Sequence, residues 1–154
     1  MSDSAEVDKV SLARTRRTLP IALLRARETV MERFRPMLHS HDMTEQQWRV
    51  LRVLRESDEL DATALAAGAC VLAPSLSRII KALEDRGLIE LSRDPSDGRR
   101  AKIRLSDTGH AFIERLAPES AEIYKEIEAT VGTERLETLL TELEALIDAL
   151  KPDT

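Results

Sequence analysis

At 154 residues the chain has the length of one domain, and its apolar share of 42% can fill a core, while an aromatic share of only 3% alongside many Leu and Ala favours helices. The formal charge of −5 speaks against an acidic partner only until it is divided: Lys and Arg against Asp and Glu run 11 to 11 over residues 1–71, 8 to 5 over 72–104 and 4 to 12 over 105–154, a basic middle followed by an acidic end. No apolar run nears the roughly 18 residues of a membrane span and the N-terminus lacks a secretion signal's apolar centre, so a cytoplasmic chain with no membrane partner is expected; the single Cys70 leaves neither an internal disulfide nor an all-cysteine metal cage.

In chain order, residues 1–18 are polar without a repeating apolar stripe, which predicts a flexible arm. Its Arg14, Arg16 and Arg17 either touch a polyanion or form a solvated basic tail. Over residues 19–41, Leu23, Val30, Phe34, Met37 and Leu38 fall on one helical face, predicting an N-terminal dimerisation helix that Pro36 should kink or close early. Thr44 and Gln47 form the T-x-x-Q pattern of a capping box, opening a helix through Trp48, Leu51 and Leu54 to about Ser57. Asp61 can cap a short Ala-rich helix from Ala62 to about Ala69, with Gly68 favouring a tight exit.

A second helix follows at once, from Pro74-Ser75 to Gly87. Leu76, Ile79, Ile80 and Leu83 recur on one side at helical spacing, and Ser75, Ser77, Arg78 and Lys81 occupy the other. Short hydroxyls and cations in the first turns of a helix suit phosphates and base edges in a major groove. The pattern then changes to two strands, Leu88–Arg93 and Ala101–Leu105, around a tip from Asp94 to Arg100 that is too rich in turn formers for a strand interior. Residues 42–105 thus read as a winged helix-turn-helix, in a mainly α chain with a small β-hairpin wing.

Over residues 106–151, Ser106 caps a long helix through Phe112, Ile113, Leu116, Ile123, Ile127 and Val131, bent near Pro118. Gly132-Thr133 stops it, and a last helix repeats Leu136, Leu139, Leu140, Leu143, Leu146, Ile147 and Leu150. Stripes this long exceed what a small winged domain can cover. They predict a helical dimerisation region and a homodimer, against the alternative of a monomer folding the stripe on itself.

The tip and the segment after it, Asp97-Gly98-Arg99 and then Leu105-Ser106-Asp107-Thr108-Gly109, resemble the D-x-R wing and L-[ST]-x-x-G helix start of the MarR family of bacterial winged-helix regulators. The P-S-L-S-R run at Pro74–Arg78 and E-D-R-G-L-I at Glu84–Ile89 fit as well, so the resemblance spans nearly the whole chain. It implies a transcriptional regulator bound to a near-palindromic double-stranded DNA operator, a repressor by the family's habit. Arg99 would enter a minor groove and Asp97 would orient its basic neighbours; a guanidinium on a thin hairpin also suits a narrow, electronegative groove on physical grounds. Ser75, Ser77, Arg78 and Lys81 would contact the major groove or phosphates, and Arg93 and Arg100 the backbone.

Within that family the chain is similar to the branch regulating homoprotocatechuate (4-hydroxyphenylacetate) degradation. The similarity lies in Ile21–Leu24, Ala26-Arg27-Glu28, Phe34-Arg35-Pro36, His41, Thr44–Arg49 and Ala69–Leu76, and it implies a small aromatic carboxylate as effector and a role in aromatic catabolism. Arg27 is a charge on an otherwise apolar stripe, which needs a partner. A ligand carboxylate could supply it, with Trp48 as an aromatic wall and His41 or Arg49 as polar handles. The alternatives are an ion pair with Glu28, Glu32 or Glu45, or an arginine whose stem covers the core, and a Trp48 that is simply core.

Catalysis and a cofactor or metal are not expected. His39, His41 and His110 have poor metal-ligand spacing, and neither a phosphate-binding glycine loop nor a G-x-S-x-G elbow occurs. Two other readings stay open: a winged module that binds protein without DNA affinity, and a redox response through Cys70, which its Ala-rich surroundings instead suggest is buried and inert.

Overall fold

A computed structural model describes residues 15–94 and 97–152; residues 1–14, with Arg14, and the side chains of Asp94 and of residues 97–100 lie outside the described residues. After a 3-10 turn at Thr15–Arg17 come α1 (Leu19–Ser40), α2 (Glu45–Arg55), β1 (Leu60–Asp61), α3 (Ala62–Ala69), α4 (Ala73–Asp85), β2 (Ile89–Asp94), β3 (Asp97–Leu105), α5 (Asp107–Val131) and α6 (Thr133–Leu150). The chain divides into two compact units, Met1–Pro36 and Met37–Thr154. Among the described residues no single helix is long and apolar enough to cross a membrane.

In the first unit Leu19, Leu23, Leu24 and Val30 of α1 are exposed. Glu28 accepts a hydrogen bond from Arg35 Nη2 at 2.7 Å and lies 3.7 Å from Arg27 Nη1. The helix does not close early at Pro36 but continues to Ser40. A proline forfeits one backbone donor, and the surrounding turns carry the helix past it.

The second unit is built around buried Leu38, Leu51, Leu54, Leu65, Leu83, Ile103, Ile113 and Leu116. The Thr44 capping box forms as its spacing predicts: Gln47 N–H donates to Thr44 Oγ1 and Thr44 N–H to Gln47 Oε1, each at 3.1 Å. Asp61 Oδ1 accepts from Ala64 N–H at 2.8 Å. Ser106 does more than cap α5, because its Oγ accepts from Gly109 N–H at 2.9 Å while donating to the Gly87 carbonyl, tying the exit of α4 to the start of α5.

Three helices end alike. Asp42, Cys70 and Gly87 take left-handed conformations with φ of 51°, 54° and 72°, and the next residue's N–H returns to a carbonyl inside the helix: Met43 to Leu38 at 2.9 Å, Val71 to Ala66 at 3.0 Å and Leu88 to Leu83 at 3.0 Å. These are Schellman closures. Two expectations change here. Cys70, not Gly68, makes the exit from α3, and its thiol is exposed rather than buried. Gly68 serves close packing, since a Cβ there would lie 3.0 Å from Val53 Cγ1.

The sheet has three strands in the order β1-β3-β2, all antiparallel. β1 is only Leu60-Asp61, paired with Ile103 and Lys102, and local sequence gives no sign of it. The strands also run further toward the tip than turn chemistry predicts, to Asp94 on β2 and from Asp97 on β3, with the register shifting between Arg93 and Asp94. Turn formers here belong to an irregular ladder instead of a loop.

α5 buries Phe112, Ile113, Leu116 and Ser120. Beyond Ser120 nothing on α5 is buried, nor is any residue of α6. Leu139, Leu140, Ile147 and Leu150 lie open.

Candidate nucleic-acid interface

α3 and α4 meet at 101° across the three-residue turn Cys70-Val71-Leu72, which is helix-turn-helix geometry. Local sequence explains the sharpness. Cys70 reverses the chain in the left-handed region, and Pro74 stands in the first turn of α4, where a missing N–H costs nothing. Arg49, reaching from α2, then fixes the turn from behind: its Nε donates to the Ala69 carbonyl at 2.9 Å and its Nη2 to the Cys70 carbonyl at 3.5 Å. Those carbonyls are the orphan acceptors of a helix C-terminus, and a guanidinium is the natural partner for them.

α4 divides cleanly by face. Leu76, Ile79 and Leu83 are buried and Ile80 half-buried, while Ser77, Arg78 and Lys81 are exposed and Ser75 is half-buried. Ser77 Oγ donates to the Ala73 carbonyl at 3.4 Å, which leaves its lone pairs free to accept. Among the described residues neither Arg78 nor Lys81 has a hydrogen bond or ion pair. One helix face thus offers two uncompensated cations beside two hydroxyls.

The wing leaves the far end of α4. Arg93 is exposed on β2; Asp97, Arg99 and Arg100 lie on β3, their side chains outside the described residues. Arg104 is occupied nearer the base, its Nε and Nη2 at 3.1 and 3.0 Å from Glu90 Oε2 across the ladder.

Sequence reasoning missed Arg86, the residue that ends α4. Its Nη1 donates to the Asp42 carbonyl at 2.6 Å and its Nη2 to the His41 carbonyl at 3.2 Å, and its guanidinium carbon stands 5.4 Å from the centroid of the Phe112 ring. Arg115 approaches the same ring at 5.6 Å, and the His41 ring meets it edge-on at 6.1 Å. The only signal available was an arginine beside Gly87, which does not reveal partners 44 and 45 residues away.

The four residues singled out for a ligand carry contacts of their own. Trp48 is buried, with the Arg52 guanidinium 5.8 Å from its ring. Arg49 holds the turn before α4, and His41 Nε2 lies 2.8 Å from Glu119 Oε2. Arg27 belongs to the first unit, with its side chain 42% exposed beside Glu28. Among the described residues no cluster of His, Cys, Asp and Glu could hold a metal ion.

Residues 43–101 match the sequence pattern of the MarR family. The homoprotocatechuate degradative operon repressor of Escherichia coli is 41% identical over 130 residues, covering 84% of this chain and 88% of that protein. Among solved structures, NadR in complex with 4-hydroxyphenylacetate is 37% identical with a TM-score of 0.75, covering 87% of this chain and 94% of that one. The transcriptional repressor CouR bound to a 23-mer DNA duplex is 28% identical with a TM-score of 0.79, covering 86% and 94%.

Proposed function

This chain belongs to the MarR family of DNA-binding transcriptional regulators, and from that premise we propose that two copies of it form a repressor which leaves a near-palindromic operator when a small aromatic carboxylate binds. The observation that carries the reading is the outer face of α4, where Ser77, Arg78 and Lys81 are exposed and the two cations lack counter-charges among the described residues. Phosphates are the counter-charges that such a face lacks, and hydroxyls and guanidinium beside them suit base edges. We assign Ser75, Ser77, Arg78 and Lys81 to the major groove and its phosphates. Arg99, oriented by Asp97, goes to the minor groove, and Arg93 and Arg100 to the backbone.

Two uncovered stripes support the dimer. Leu139, Leu140, Ile147 and Leu150 of α6, and separately Leu19, Leu23, Leu24 and Val30 of α1, are exposed in a single chain, and exposed apolar stripes of that length call for cover. A second copy related by a two-fold axis covers both and sets two α4 helices against half-sites about one helical turn apart. The acidic last third of the chain fits a region turned away from DNA.

The effector class rests on the relatives, one naming homoprotocatechuate degradation and another solved with 4-hydroxyphenylacetate. Arg27 is our candidate for its carboxylate, exchanging an exposed neighbour, Glu28, for a bidentate partner. Trp48, His41 and Arg49 of the second unit are further candidates, each of which would give up a contact it already has. For release to follow, the ligand must prefer the arrangement that cannot hold DNA. The test is to sequence the duplexes that the purified protein selects from a random pool, with and without a panel of aromatic acids. Enrichment of a near-palindrome that one or more acids abolish is expected; a pool left unenriched at low ionic strength would overturn the reading.

A further inference from the structure

We propose that Leu72 is a base-reading residue, resting against the 5-methyl group of a thymine in the major groove of each half-site. The inference rests on the DNA-binding reading above and adds to it the one apolar element of recognition. At 77% exposure Leu72 is the most exposed large apolar side chain among the described residues. It occupies the N-cap of α4 without a side-chain cap hydrogen bond. That position favours Ser, Thr, Asp or Asn, and an aliphatic residue there forgoes a stabilising bond. Leucine here therefore costs the helix stability and gains no burial within the chain.

Its backbone is nevertheless firmly held. Arg49 fixes the two carbonyls just upstream, Val71 N–H returns to Ala66, and the Leu72 carbonyl accepts the first bond of α4 from Leu76 N–H at 2.9 Å. An apolar side chain carried on a fixed turn is preorganised, so little ordering cost falls on binding. Ala73 and Pro74 beside it are exposed as well, and on the same helix Ser77, Arg78 and Lys81 supply the polar contacts. The N-terminal residues of a recognition helix reach deepest into the groove, where the thymine methyl is the one apolar feature on any base edge.

The test replaces thymine by deoxyuridine, which removes only that methyl, one position at a time in a duplex selected by the protein. For the wild-type dimer, one thymine per half-site should show about threefold weaker binding on replacement, and replacing both half-sites should give about tenfold. Leu72→Ala and Leu72→Asn should bind the two duplexes equally, the latter with a better-capped helix. If the wild type is indifferent at every thymine, or if both variants bind yet keep the full preference, the assignment is wrong while the DNA reading stands. If the wild type binds no duplex at all, both fall.

Discussion

A Cβ built on Gly109 would stand 2.0 Å from the carbonyl oxygen of Leu88. Gly109 lies in the first turn of α5 and its N–H is taken by Ser106 Oγ, while Leu88 begins the wing and its carbonyl accepts from Ser106 N–H at 3.0 Å. Backbone meets backbone here, so no rotamer can relieve a methyl. Gly109→Ala is expected to cost about 3 kcal/mol or more in denaturant unfolding. At Gly68, by contrast, the close neighbour is a Val53 methyl at 3.0 Å. Gly68→Ala should lie within about 0.5 kcal/mol of wild type, helix propensity offsetting the crowding.

Cys70 holds a left-handed conformation that glycine adopts without strain. Cys70→Gly should stabilise the fold by about 0.5–1 kcal/mol, less than the strain relieved because glycine also loosens the unfolded chain. Cys70→Val should destabilise it. Thermal unfolding of the two variants beside wild type should give shifts of opposite sign.

Arg49, a candidate ligand handle by sequence, holds the turn before α4. Arg49→Lys keeps the charge but cannot reach both carbonyls with one planar fork. A loss of about 1–2 kcal/mol is expected, together with weaker DNA binding because α4 starts from a looser turn. Denaturant titration and fluorescence anisotropy on a selected duplex measure the two effects separately.

Arg78→Ala should weaken binding and alter the preferred sequence, while Lys81→Ala should weaken all sequences alike. Removing one phosphate partner lowers the salt slope of log affinity by about 0.9, and by nearly twice that when the change falls on both half-sites. Ser77→Ala should change sequence preference with little effect on the slope. Repeating the titrations at several salt concentrations separates contacts that position from contacts that specify.

Ile147 is 57% exposed on α6. Ile147→Glu should leave the winged unit folded and shift the species in light scattering from dimer toward monomer, with at least about tenfold weaker operator binding because each chain then holds a single half-site. A dimer unchanged in mass would place the association surface elsewhere.

What could be read in the sequence was what is written within a few residues. The Thr44–Gln47 box, the Asp61 and Ser106 caps and the two-faced pattern of α4 each depend on neighbours one turn away, and each formed. Features that depend on distant chain could not be read. β1 exists because Leu60 and Asp61 find Ile103 and Lys102. Arg49 and Arg86 have partners 20 to 45 residues away. Glycine is the usual left-handed exit and Gly68 stands two residues before Cys70, so the local pattern points to the wrong residue. At Pro36 the early-closing alternative does not occur, since the helix runs on to Ser40 and the turns around it outweigh the local rule.

Arg86 gives the molecule a mechanical character. One planar cation clasps the His41 and Asp42 carbonyls, lies over a ring from α5 and ends α4, so three elements meet at a single guanidinium. Under the proposed reading, in which α4 faces DNA, a shift of that helix is expected to carry Phe112 and the His41–Asp42 corner with it.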